Sequence, residues 1–177
     1  MSDRTWQQEL VDELTELADP ANPNRAVLAH LRRGVDRPLD YSLGRVGWLF
    51  RRVPDDAVPE AVLVAGLFAW VKGDCPQRQN VNFGAAFGAD LTLEEKQKRE
   101  KRFIDLLDTD ADDLPYKLRQ VVSLIARDGV GLDWEKLIQH LCHWDHPQRW
   151  VQKEWARAFW AASESEPNIV VSQPVSQ

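Results

Sequence analysis

Pro59-Glu-Ala-Val-Leu-Val-Ala-Gly-Leu-Phe-Ala-Trp-Val-Lys72 is apolar on nearly every side of a helical wheel. A helix of that kind has no polar face to give to water, so the spacing predicts a central helix wrapped by others. Its unbroken apolar run, Ala61 to Val71, is eleven residues long. A membrane-spanning helix needs roughly 20 such residues, so burial in protein is the reading and no membrane is expected as a partner. Gly73-Asp-Cys-Pro76 stops the helix.

Outward from this segment helical signals recur and strand signals do not. Upstream, Trp6, Leu10, Leu14 and Leu17 form one stripe, ended by Asp19-Pro20. Asn22-Pro23 reads as an N-cap followed by proline at the first helical position, opening a helix to Arg32-Arg33 with Gly34 behind it. Leu43, Val46, Phe50 and Val53 give the next stripe. Downstream, residues 73–91 form a long irregular stretch hiding one short helix near Ala85. Thr92-Leu-Glu-Glu95 is a capping box opening a helix to about Leu107. Asp112 or Asp113 caps the next helix, which Gly129 ends, with a core face of Leu118, Val121, Val122 and Ile125. Asp133 caps a helix from Trp134 to about His143, and Asp145 caps the last, from Pro147 to about Ala162. The expected fold is all-α, with about eight helices. It divides into an N-terminal helical group (1–88), a C-terminal four-helix bundle-like group (89–162) and a disordered tail (163–177).

The chain has 177 residues and a formal net charge of −6, which argues against a generic nucleic-acid binder. The charge is blocked, however. Residues 25–52 carry seven arginines against two acids, residues 96–103 five basic residues against one acid, and residues 104–115 five aspartates. Blocks of this kind can build a basic strip on an acidic protein, because fields are local over a Debye length of about 8 Å. The alternative is solvated faces with internal ion pairs. Two cysteines are too few for a disulfide scaffold, and the N-terminus lacks a basic segment followed by an apolar one, so a reducing cytoplasm is expected.

On helical wheels, Arg45, Trp48 and Arg52 sit together opposite the Leu43/Val46/Phe50 stripe. The last helix has a core face of Val151, Trp155, Ala158, Phe159 and Ala162, and an outer face with Arg149, Lys153, Arg157 and Trp160. Arginine pairs with phosphate bidentately and aromatics stack on bases, so such stripes suit a nucleic-acid backbone. The bland alternative is tryptophan shielded by arginine stems. Lys96, Lys98, Arg99, Lys101 and Arg102 spread around the early turns of their helix, so that end is expected to project into water as a basic knob.

Catalytic and metal signals are weak. There is no phosphate-binding glycine loop, no serine elbow and no histidine–carboxylate pair at a recognisable spacing, so no enzyme is expected. Asp108, Asp110 and Asp112 mimic the start of a calcium loop, but Asp113 replaces its glycine and Arg119 its terminal glutamate. His140, Cys142, His143 and His146 cluster, and His140 and His143 share a helix face, but Cys142 points elsewhere, His146 lies past the helix end, and histidines suit a helix C-terminus. Neither metal nor cofactor is expected.

One ordered set of segments is distinctive. It comprises Arg102-Phe-Ile-Asp-Leu-Leu107, Leu114-Pro-Tyr-Lys-Leu-Arg-Gln-Val-Val-Ser-Leu124 and Leu132-Asp-Trp-Glu-Lys-Leu137. The last segment is Leu141-Cys-His-Trp-Asp-His-Pro-Gln-Arg149 followed by Trp-Val-Gln-Lys-Glu-Trp-Ala-Arg-Ala-Phe159. Leu31-Arg-Arg33 and Asn82-Phe-Gly-Ala-Ala-Phe-Gly88 join it more loosely. Over about residues 25–160 the chain resembles the CasB family, the small subunit of the type I-E CRISPR-associated Cascade complex. The resemblance implies an all-α, non-catalytic subunit of an RNA-guided antiviral surveillance complex, present beside a second copy of itself and the other Cascade subunits. It implies basic surfaces toward the guide RNA and the target DNA, displaced strand included, which stabilise the opened target without reading sequence. By matching position it implies phosphate contacts at Arg32, Arg33, Lys101, Arg102, Lys117 and Arg119. Gln120 stands where the family often has a second basic residue. Arg45, Arg52, Arg149, Lys153 and Arg157 come from the helical wheels alone. The rival reading is an all-α protein-interaction module with no direct nucleic-acid role.

Overall fold

A computed structural model describes residues 3–161. Among them lie nine α-helices: α1 (Trp6–Leu17), α2 (Arg25–Gly34), α3 (Leu39–Val46), α4 (Val58–Trp70), α5 (Phe83–Gly88), α6 (Leu93–Leu107), α7 (Leu114–Arg127), α8 (Trp134–Leu141) and α9 (Trp150–Ala161). Two short 3₁₀ turns, Gly47–Phe50 and Asp55–Ala57, lead into α4. No strand occurs among the described residues, only an isolated bridge between Gln77 and Leu132. The all-α class is as the periodicity predicts.

The centre is α4. Ala61, Val62, Val64, Ala65, Gly66, Leu67, Phe68 and Ala69 are all buried, which an apolar wheel requires. It packs against α1, α2, α3, α7 and α8. Lys72 and Gly73 take positive φ values of 53° and 82° and end it.

Around this centre the second half closes through α5 and α9. The two helices cross so closely that a Cβ on Gly84 would lie 2.1 Å from the Trp155 carbonyl oxygen, and one on Gly88 2.5 Å from that of Phe159. Only glycine permits this approach. Phe83 then stacks on Trp155 (centroids 4.8 Å apart), and Phe103 of α6 stacks on Phe159 (4.3 Å).

The irregular stretch after α4 is pinned by α8. Asp133 accepts hydrogen bonds from Gln77 Nε2 (3.0 Å), the Asn80 amide (2.9 Å) and the Lys136 amide, so one carboxylate fixes the loop and caps the helix. Trp134 Nε1 donates to the Cys75 carbonyl (2.8 Å).

Several boundaries differ from the sequence reading. The cap of α2 is Asn24, not Asn22, and its side chain accepts from the Val27 amide. The stripe Leu43–Val53 is not one helix. Val46 leaves helical geometry (φ −132°, ψ 22°) and a 3₁₀ turn carries Leu49 and Phe50 inward instead. The last helix starts at Trp150, because Arg149 has φ 50° and a helix cannot run through it. The tail 163–177, expected to be disordered, lies outside the described residues.

Candidate nucleic-acid interface

The helices α6 and α7 pack against each other. A cleft of about 410 Å³ between them is lined by Lys98, Arg99, Lys101, Arg102 and Lys117, with Asp105, Gln120 and Val121 completing it. Three of the expected phosphate contacts, Lys101, Arg102 and Lys117, therefore converge, although 15 residues separate Arg102 from Lys117. No ion pair to a described carboxylate holds these three. Their charge is available to an external anion, with Asp105 the one carboxylate in the cleft.

Arg119 faces elsewhere. It lies two residues beyond Lys117, about 200° around the same helix, and does not line the cleft. Its guanidinium sits 4.8 Å from the Trp70 ring and 5.5 Å from the Tyr116 ring. It pairs with the carboxylate of Asp36, in the turn after α2. Trp70 is itself fixed by a hydrogen bond from Nε1 to Ser123 Oγ (3.0 Å). Arg32 and Arg33 occupy the last turn of α2, at the end of the helix that the Asp36–Arg119 pair ties to α7.

The other expected contacts divide into committed and open groups. Arg52 pairs with Glu9 (2.6 Å), and Arg51 beside it with Glu13 (2.9 Å). The Arg45 guanidinium sits over the Tyr41 ring, 3.9 Å from its centroid, and donates to the Tyr41 carbonyl. The Arg45–Trp48–Arg52 stripe is therefore corrected: α3 ends at Val46, so the 100° wheel does not carry to residues 48 and 52. Trp48 remains half exposed. Arg149 is corrected likewise. It precedes α9 rather than belonging to its outer face, and its guanidinium donates to the Leu107 carbonyl (2.5 Å). Lys153 and Arg157 are exposed one turn apart on α9.

The expected basic knob is not one. Lys96 is fully buried, and its ammonium donates to the Phe159 carbonyl (2.6 Å) and the Trp160 carbonyl (3.4 Å) at the end of α9. A cation there meets the negative end of the helix dipole. Arg99 donates to the Phe87 carbonyl (3.1 Å) and pairs with Asp128 (2.6 Å). Sequence reasoning missed these roles, and missed Asp36, because each partner lies 12 to 83 residues away.

Of the histidine cluster, only His140 is built into the core; His143 is exposed and His146 half-buried. His140 is buried, its Nδ1 accepts from Trp155 Nε1 (2.8 Å), and burial lowers its pKa to about 4. Its other ring nitrogen, Nε2, lies 3.4 Å from a carboxylate oxygen of Glu154. His143 Nδ1 is 2.9 Å from the Gln139 carbonyl, and His146 accepts from the Gln148 amide. Among the described residues no three His, Cys, Asp or Glu side chains are grouped to hold a metal, and no helix is long and apolar enough to cross a membrane.

Comparison with known proteins bears on the whole helical array. The model of the family described as CRISPR-associated protein Cse2 matches residues 27–160, three quarters of the chain, from within α2 to the penultimate residue of α9. The chain belongs to the Cse2 family. A Cse2 protein of Thermus thermophilus is 43% identical over 67 residues, a stretch that spans only 38% of this chain and 38% of that relative. The crystal structure of CasB from Thermus thermophilus matches with a TM-score of 0.70 at 29% identity, over 92% of this chain and all of that one. A chain of a CRISPR RNA-guided surveillance complex shares the fold, with a TM-score of 0.66 at 24% identity over 90% of this chain and 93% of that one. The α6–α7 cleft and the Arg119 seat both lie within the Cse2 match.

Proposed function

We propose that the protein is a non-catalytic subunit of a CRISPR RNA-guided surveillance complex of the Cascade type. Its basic surfaces hold nucleic-acid backbones and stabilise the opened target. The observation that carries this is the α6–α7 cleft. Lys101, Arg102 and Lys117 face a common space with no carboxylate pairing them, whereas Arg51, Arg52, Arg99 and Arg119 are each paired with one. An acidic chain that leaves one basic cleft open selects a polyanion there. Lysine and arginine side chains around a shallow cleft match phosphates, not base edges, so sequence reading falls to the guide. Its partners are the other subunits, guide RNA, target DNA and a second copy of the chain. The family membership and the shared fold of the surveillance-complex chain support the assembly.

The alternative, a protein-interaction module with no nucleic-acid role, is separated by binding assays. Fluorescence anisotropy with several single-stranded DNA and RNA sequences should give salt-dependent affinities independent of sequence. Co-expression with the other subunits and a guide RNA should give one co-purifying particle. Co-purification without any binding of nucleic acid by the free protein, and with target opening unaffected by loss of the cleft charges, would favour the interaction module.

A further inference from the structure

The Asp36–Arg119 pair has the form of an occupied anion seat. Arg119 is packed against two aromatic rings, whereas Asp36 is mostly exposed. The Arg119 side chain is 20% exposed, held against Trp70 and Tyr116. The Asp36 side chain is 59% exposed, on the short turn between α2 and α3. A carboxylate so placed can leave by rotating about its own χ angles, and the guanidinium stays. Tyr116 beside the seat is half exposed and leaves part of its ring to solvent.

We infer that Asp36 is an internal competitor for the Arg119 site: its carboxylate occupies the place of a backbone phosphate and yields it when a nucleic acid binds. The proposal deepens the function proposed above and rests on it. The cleft cations and Arg119 then differ in kind. Lys101, Arg102 and Lys117 face solvent unpaired, so they attract any polyanion at long range. Arg119 engages only a phosphate held close enough to exchange with Asp36 at hydrogen-bond distance. Exchange swaps one charge-assisted bond for another, so the seat adds little affinity for a weakly placed strand and more for a docked one. A bidentate guanidinium suits phosphate at least as well as carboxylate.

The test is a mutant cycle read by anisotropy with fluorescein-labelled oligo(dT) at about 0.1 M salt, where the Debye length is about 10 Å. The proteins are the full chain, Asp36→Asn, Arg119→Gln and the double variant, with Asp40→Asn as a charge control on the exposed first turn of α3. Neutralising Asp36 should tighten binding by about three- to fivefold, the range that one exposed ion pair supports. In the Arg119→Gln background the same change should fall to that of Asp40→Asn, under about twofold, as expected for an exposed, screened charge. Far-UV circular dichroism checks each fold, and Asp36→Ser serves as a second neutral variant. Tightening that persists without Arg119, or that Asp40→Asn reproduces, would overturn the competitor role while leaving the functional reading intact. Absence of salt-dependent binding in every protein, the unmutated chain included, would overturn both.

Discussion

Replacing Gly84 by alanine tests the α5–α9 crossing on which the second half of the fold depends. An ideal Cβ at position 84 would lie 2.1, 2.7 and 2.8 Å from the oxygen, carbonyl carbon and Cα of Trp155. All three are backbone atoms of a helix, so no rotamer change relieves the clash and α9 must withdraw. Overpacking of this kind costs about 1–3 kcal/mol, and rigid backbone places the cost near the upper end. Alanine recovers about 1 kcal/mol over glycine in a helix. The net expectation is a loss of about 2 kcal/mol, or a melting temperature lower by about 4–8 °C for a chain of this size. Urea unfolding followed by ellipticity and by tryptophan fluorescence reads it, with coincident transitions checking two-state behaviour. Gly44→Ala is the control. Gly44 lies inside α3 with nothing within 4 Å of a Cβ, so that variant should gain about 0.5–1 kcal/mol from propensity alone. If Gly84→Ala were as stable as the unmutated protein or more so, the close crossing would be wrong.

Lys96→Ala should cost about 3 kcal/mol, since it empties a buried volume and strips the end of α9 of its cationic partner; Lys96→Met should lose less, and chemical denaturation ranks the three proteins. Arg52→Ala should lower stability by under about 1 kcal/mol and leave the salt dependence of strand binding unchanged, because its guanidinium is paired with Glu9 at an exposed site. His140 makes the fold sensitive to acid. Burial is the main cause of its lowered pKa, followed by the positive charge of Lys136, with Asp133 opposing both and His143 adding to the lowering. Its folded pKa of about 4 lies below the ordinary 6.5, so the unfolded chain takes the proton first. Stability from this group is therefore complete above pH 6.5 and is lost as pH falls toward 4, by roughly 3 kcal/mol. His140→Gln should flatten that segment of the stability–pH curve.

The sequence made the local determinants legible. The apolar wheel of Pro59–Lys72, the Thr92–Glu95 box and the core face of α7 each depend on residues within one or two turns, and each appears as read. The fate of individual cations was not legible. Lys96 and Lys101 look alike in a basic run, yet one is fully buried against α9 and the other is exposed on the cleft. What separates them is the approach of a helix more than 50 residues away. Arg119 matched an outer helical face, but nothing near it in sequence announces Asp36. The wheel failed at Trp48 and Arg52 because Val46 breaks the helix, and at Arg149 because a left-handed residue precedes α9. Helical phase is reliable only inside a helix.

The claim that the α6–α7 cleft grips phosphates is tested most directly by the Lys101→Ala, Arg102→Ala, Lys117→Ala triple variant. Each lost phosphate contact on a single strand removes about 0.7 from the slope of log affinity against log salt. Three unpaired cations should therefore shallow the slope by about 2, equally for every DNA or RNA sequence tried. Lys101 and Arg102 are exposed and Lys117 half-buried with no ion pair, so the melting temperature should fall only slightly. An unchanged slope and affinity in a folded triple variant would contradict the account.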